Sequence, residues 1–208
     1  MRARACLLCR AGARCYGGRM TALSPSPGSF VFDTALGFFA IAWSGEGLTR
    51  LILPEPDADA AGARLPAGHA PALAEEALPA EIAALAAAIR RYAEGETVDF
   101  AFAPVDLSQA DDFCRDIYAA ARRLAQGEAV TYGELAALAG HPGAARETGV
   151  ALARNPVPLV VPCHRIVAAG GRLGGFSAPG GATTKMRLLA HERARMPQRD
   201  AAQGSFAF

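Results

Sequence analysis

Between Thr131 and Pro156 almost every position at which a helix can begin or end is marked. Thr131-x-x-Glu134 is a capping box: the threonine hydroxyl can accept from a first-turn amide while the glutamate reaches back to the cap's own N–H. It predicts a short helix over Tyr132–Ala139, ended by Gly140. His141-Pro142-Gly143 is turn chemistry. A second helix is predicted over Ala144–Arg154 and stopped by Asn155-Pro156, because proline pushes the preceding residue out of helical geometry. Two short helices joined by a tight Gly-Pro turn have helix-turn-helix spacing. Helical hairpins with no nucleic-acid role share that spacing, so charge has to be weighed. The 208-residue chain is almost neutral, with 21 basic and 20 acidic side chains. Residues 20–104 hold four Arg against eleven acids, whereas residues 137–195 hold seven Arg and one Lys against Glu147 and Glu192. A polyanion would bind at the second stretch.

The segments around this pair of helices are read the same way. Ser108-x-x-Asp111 resembles a capping box and predicts a helix carrying Phe113, Ile117, Tyr118 and Leu124, closed by Gly127. Earlier, Ser29–Asp33, Phe38–Trp43 and Leu48–Leu53 are short β-like runs separated by turn residues, an antiparallel meander. Residues 54–79 are rich in Ala, Pro and acids and predict a loop with one weak helix. Ile82, Leu85, Ile89 and Tyr92 have helical spacing within Glu81–Glu94, and Gly95 follows as a stop. Val98–Ala103 alternates like a strand. Later, Pro158–Pro162 predicts a buried extended segment, and the glycines of 169–180 predict a loop able to approach a ligand closely. Thr183–Arg195 predicts a last helix with Met186, Leu188 and Leu189.

These signals divide the chain into a disordered or misassigned start (1–28, with Met20 an alternative initiator), an α/β unit (29–104), a mostly helical unit (105–195) and a disordered tail (196–208). No run of about 18 uncharged apolar residues occurs, so no membrane span is expected. The opening lacks the apolar core of a signal peptide, and the five cysteines form no paired framework. A cytoplasmic protein is expected. Cys6, Cys9 and Cys15 lack a fourth ligand at regular spacing, so no metal is expected.

The residues richest in chemistry are Pro162-Cys163-His164-Arg165. A cysteine nucleophile must be a thiolate, and a neighbouring imidazole and guanidinium favour the anion. His164 can take the thiol proton directly or through water, and a carboxylate would then orient the imidazole. Taken alone, the dipeptide is more often a buried structural cysteine beside a chance histidine.

The wider context decides between them. Val130-Thr-Tyr-Gly-Glu-Leu-Ala136, Ala145-Arg146, Asn155-Pro156, Val161-Pro-Cys-His-Arg-Ile-Val167, Gly174-Gly-Phe-Ser177, Lys185 and Leu188-Leu-Ala-His-Glu192 fall in order over roughly residues 108–193. In this combination the chain resembles the O6-alkylguanine-DNA alkyltransferase family. The resemblance implies a ribonuclease-H-like α/β N-terminal domain and a mostly α, winged helix-turn-helix C-terminal domain. It implies direct, irreversible transfer of the alkyl group of O6-alkylguanine, and of O4-alkylthymine, from double-stranded DNA to the protein. It implies a monomer that needs no cofactor, no metal and no membrane.

Carried over residue by residue, the resemblance makes Cys163 the alkyl acceptor, His164 its base and Glu192 the carboxylate behind the imidazole. Tyr132 matches the phenol that holds the flipped base and donates a proton as guanine leaves. Arg146, beside Ala145, matches the finger that enters the vacated stack. Asn155 matches a hinge, and Arg165 falls among the DNA-contacting positions. Ser177 and the main chain at Cys163 and Ile166 match groups that read the guanine edge, and Lys185 a lysine near the site. Glu147 and Thr148 depart from the pattern, since a carboxylate on a DNA-facing helix would repel phosphate. A non-catalytic binder of alkylated DNA and an unrelated cysteine hydrolase are the competing readings. The first is opposed by Cys163 itself, the second by the adjacency of nucleophile and base.

Overall fold

The structure is a computed structural model and describes residues 26–69 and 72–193. The expectations for residues 1–25, including Cys6, Cys9, Cys15 and Met20, and for the tail 196–208 lie outside the described residues.

The chain is a mixed α/β fold. Strands β1 (Gly28–Thr34), β2 (Gly37–Trp43) and β3 (Leu48–Glu55) form an antiparallel sheet in sequential order. Alternation along β2 explains its position. Phe39, Ile41 and Trp43 point to one face, where Leu85, Ile89 and Tyr92 of α2 (Ala80–Ala93) join the same core. Ala40 and Ala42 point to the other, and their small size lets the short helix α1 (Ala58–Ala63) lie close, with Ala61 and Leu65 against them. Asp57 caps α1 by accepting from the Ala60 amide at 2.8 Å. A single-turn 3₁₀ helix over Glu75–Ala77 completes the segment that was expected to be largely loop.

Val98–Ala103 is not a strand. Val98 and Phe100 are buried, but the Val98 amide donates to the Gln126 side chain at 2.9 Å and the chain then turns at 101–103. Alternating burial here is met without a neighbouring ladder. Helix α3 spans Asp112–Ala121, with Asp111 rather than Ser108 as its cap: the Asp111 carboxylate accepts from the Cys114 amide at 2.7 Å. The helix ends well before Gly127, whose φ of 83° belongs to the turn that follows.

The two short helices form as expected, to within a residue or two. Thr131 and Glu134 make the full capping box of α4 (Tyr132–Leu138), and α5 spans Ala145–Ala153. Their turn is tied to α3 by His141, which meets Asp116 at 2.9 Å and lies against the Phe113 ring. Tyr118 of α3 donates to the Ala151 carbonyl of α5 at 2.8 Å. A two-residue parallel pair joins β4 (Val130–Thr131) to β5 (Ile166–Val167), fixing the start of α4 beside the Cys163 segment.

Pro158–Pro162 is buried but not extended. The Val161 amide donates to the Val157 carbonyl at 2.9 Å, and Leu159 sits at φ 75°. Left-handed backbone at a leucine costs about 1–2 kcal/mol and persists because burial of Leu159, Val160 and Val161 holds it. Helix α6 spans Ala182–His191. Leu188 and Leu189 are buried, but Met186 is exposed and Lys185 faces inward instead. Among the described residues no helix is long and apolar enough to cross a membrane.

Candidate active site

Cys163 opens a single 3₁₀ turn, Cys163–Arg165, immediately after the tight turn at Leu159. The turn points successive side chains in different directions, so Cys163 faces a cleft while His164 and Arg165 face the interior. The cleft holds about 490 Å³ and is walled by Tyr132, Ala145, Arg146, Phe176 and Ser177, with Cys163 the thiol on its wall. Cys163 is 8% exposed.

Behind the thiol lies a closed set of charges. His164 is fully buried, and its Nε2 donates to Glu192 Oε1 at 2.8 Å. Glu192, just past the end of α6, also accepts Arg165 Nε on Oε2 at 2.8 Å and Arg165 Nη2 on Oε1 at 2.9 Å. Two parallel N–H···O bonds make this a bidentate ion pair, the geometry in which a buried pair best offsets its desolvation. Arg165 Nη1 is taken by the Leu124 carbonyl at 2.6 Å. Arg165 therefore does not lie among surface DNA contacts. It is 5% exposed, and its donors point inward to Glu192 and Leu124.

Ionisation follows from these neighbours. Burial alone would raise the Glu192 pKa, but hydrogen bonds from His164 and Arg165 outweigh it and hold the carboxyl well below the usual carboxylate range. Burial lowers the His164 pKa by more than Glu192 raises it, so the imidazole is neutral at rest. With Nε2 carrying the proton toward Glu192, Nδ1 is the acceptor, and this buried atom has no hydrogen-bond partner among the described residues. Burial pushes the Cys163 thiol up, and contacts from Asn155 and the Lys185 ammonium pull it partway back. The resting site is thus a neutral thiol beside a neutral imidazole, with an anion fixed behind it.

Asn155 closes the turn before Cys163. Its Nδ2 donates to the Val161 carbonyl at 2.8 Å and its Oδ1 accepts from the Val157 amide at 3.0 Å. Lys185 is fully buried, its Nζ donating to the Ile166 carbonyl and, at 3.4 Å, to the Gly175 carbonyl. Burial lowers its pKa to about 8. The Ile166 amide bonds the Cys163 carbonyl and its own carbonyl accepts from Lys185, so both main-chain groups of this fully buried residue are engaged within the protein and it is not among the residues lining the cleft. Tyr132 donates to the Gly175 carbonyl at 3.2 Å, and its ring passes 5.5 Å from the Lys185 ammonium. Gly174 lies under that ring at φ 69°, where an added Cβ would come within 3.1 Å of it, so this turn of the loop requires glycine.

Ala145 and Arg146 stand in the first turn of α5 on the rim of the cleft, and Arg146 is exposed. Glu147 is also exposed there and forms no ion pair among the described residues. Thr148 turns inward and is fully buried. Sequence reasoning missed Tyr92, whose hydroxyl donates to Glu192 Oε1 at 3.1 Å across 100 residues of chain. Its place on the apolar stripe of α2 reads only as core. Among the described residues no group of His, Cys, Asp and Glu is placed to hold a metal ion.

The model for the DNA-binding domain of 6-O-methylguanine DNA methyltransferase matches residues 112–194. A methylated-DNA–protein-cysteine methyltransferase of Methanothermobacter thermautotrophicus is 33% identical over 152 residues, 73% of this chain and 77% of its own length. One from Mycolicibacterium paratuberculosis is 42% identical over 106 residues, 51% of this chain and 62% of its own. The Mycobacterium tuberculosis OGT solved in complex with DNA superposes with a TM-score of 0.64 at 31% identity, covering 81% of this chain and 94% of that one.

Proposed function

The chain belongs to the methylated-DNA–protein-cysteine methyltransferase family, and we propose that it repairs O6-alkylguanine in duplex DNA by moving the alkyl group onto its own Cys163. The observation that carries this is a thiol at the wall of an open cleft, followed at once in the chain by a buried imidazole anchored to an anion.

The step balances without a co-reactant. His164 Nδ1 takes the thiol proton, directly or through a water, and Glu192 stabilises the imidazolium that forms. The Sγ–carbon bond forms as the carbon–O6 bond breaks, and the electron pair goes to the guanine. The Tyr132 hydroxyl, at the cleft wall, is placed to give the leaving base a proton. Burial raises its pKa, with the nearby Cys163 adding to the rise, so it stays protonated until needed. The product is a thioether with no ready reversal, so each protein turns over once. The target carbon is inaccessible within stacked DNA, and extruding the nucleotide costs a few kcal/mol. Arg146, exposed on the first turn of α5, has the length and charge to occupy the vacated stack. Ser177, on the cleft wall, is offered to the guanine edge.

We read residues 29–104 as the ribonuclease-H-like domain and residues 105–195 as a winged helix-turn-helix, with α5 facing DNA. The capping box, the tight turn and the basic balance of 137–195 support this. Cys114 and Cys163 form no disulfide among the described residues, which supports a cytoplasmic setting. Incubation with duplex DNA carrying O6-methylguanine, followed by intact-mass measurement and peptide mapping, tests the reading. One methyl group on Cys163 is expected. DNA binding with no mass change, or a methyl group on another residue, would overturn it.

A further inference from the structure

The Glu192 carboxylate serves more than the groups already placed in the reaction. Its Oε1 accepts from His164 Nε2 at 2.8 Å, from Arg165 Nη2 at 2.9 Å and from the Tyr92 hydroxyl at 3.1 Å. Tyr92 comes from α2, under the sheet, and from no segment that walls the cleft. It is fully buried and held on every side. The His191 ring lies 5.0 Å from its own, and His191 Nε2 donates to the Tyr92 carbonyl at 2.6 Å. Phe100 meets it edge-on at 5.8 Å. Burial and the nearby Glu192 charge raise its phenol pKa, so the hydroxyl is a donor throughout the working range of pH.

An oxygen that accepts several hydrogen bonds shares its charge among them. What Tyr92 draws from Oε1 is not available to hold a proton on His164. We propose that Tyr92 is a positioning residue for alkyl transfer, which fixes Oε1 of Glu192 from the sheet-bearing part of the chain and moderates its hold on the imidazolium of His164. The inference rests on the alkyltransferase reading. It makes the α2 helix part of the reactive apparatus although it touches neither substrate nor thiol.

The expected sign can be worked out. Without the hydroxyl, Glu192 keeps more of its charge for His164, the imidazolium is stabilised, and the thiolate forms at lower pH. The other groups facing this cluster are unchanged by that loss: Arg165 on the same turn, Lys185 and His191 from α6, Tyr118 from α3 and Tyr132 from α4. Loss of one of the three bonds shared by Oε1, passed on in part to His164, corresponds to a shift of about 0.5–1 pH unit.

The test uses the full chain and Tyr92→Phe, which keeps the ring against His191. Single-turnover transfer from free O6-benzylguanine is measured across pH, so that DNA binding does not enter. The inference expects the midpoint of the rate profile to fall by about 0.5–1 unit in Tyr92→Phe. An unmoved or raised midpoint overturns it, even if the variant melts at lower temperature, since a purely structural role would change only the melting. Should Tyr92→Phe fail to fold, 3-fluorotyrosine at position 92, a more acidic and stronger donor, is expected to raise the midpoint, and no rise overturns the inference. A wild-type protein that transfers no alkyl group would instead refute the alkyltransferase reading itself.

Discussion

The wall of the cleft and the charge cluster behind it are built by opposite rules. On the wall, Arg146 is exposed and forms no ion pair among the described residues, and the Tyr132 hydroxyl donates to the Gly175 carbonyl at 3.2 Å. Behind it, Glu192 alone accepts from His164, Arg165 and Tyr92 within 3.1 Å. On the proposed function the wall accommodates a nucleotide arriving from a duplex, so its groups are left adjustable. The cluster must present one proton acceptor in one orientation, so its groups are over-determined. Sensitivity to substitution should divide along the same line: changes behind the wall disturb fold and chemistry together, and changes on it disturb substrate handling alone.

The largest expected effect lies where the two regions meet. Cys163→Ala should abolish transfer while DNA binding persists, as read by intact mass and a binding isotherm. Cys114→Ala should leave transfer intact, because Cys114 is absent from the cleft. Next, Glu192→Gln should slow single-turnover transfer by about 10²–10⁴-fold, the range of general-base contributions. It should also lower stability by about 3–5 kcal/mol, because the buried Arg165 charge loses its counter-ion. A slow but fully stable variant would break the claimed union of fold and chemistry.

On the wall, Arg146→Ala should lose far more activity on duplex substrate than on free O6-benzylguanine, with the melting temperature unchanged. Its salt dependence of binding should fall by no more than about one phosphate. Equal losses on both substrates would place Arg146 with the interior groups and blur the division. A smaller effect concerns acid. The depressed His164 pKa means the unfolded chain gains its proton first as pH falls below 6.5, and the depressed Glu192 pKa adds to this below 4.5. Folding stability should therefore decline in two stages on acidification. His164→Gln should flatten the first stage in urea melts taken across pH, and an unchanged first stage would assign it elsewhere. The smallest effect is structural. Tyr118→Phe, removing the bond to the Ala151 carbonyl, should cost about 1–2 kcal/mol without touching the pH profile of transfer.

What the sequence shows follows from the range of the forces involved. The capping box at Thr131, the turn at His141-Pro142-Gly143 and the stop at Asn155-Pro156 are interactions over a few residues, and α4 and α5 appear where those residues place them. The pairing of His164 with Glu192 spans 28 residues, and no local pattern dictates it; family resemblance supplied it. Arg165 shows the limit of such carry-over, since a basic residue in a basic segment reads as surface until its carboxylate partner is seen. Val98–Ala103 misleads for a related reason: alternation reports which side chains are buried, not whether a neighbouring strand exists to bond the backbone. Tyr92 was illegible because a tyrosine on an apolar stripe packs the same way whether or not its hydroxyl has a distant partner.

One apolar cluster runs without interruption from Phe30 and Trp43 in the sheet, through Tyr92 and Ile117, to Cys163 and Leu188. Two halves with separate cores could open independently, and hydrogen exchange would then report two protection levels. Here the slowest amides of β2 and of α3 should exchange in one shared event, at the free energy of global unfolding. On that expectation the Cys163 thiol belongs to the part of the molecule that comes apart last, and an opening large enough to free it should expose the sheet amides as well.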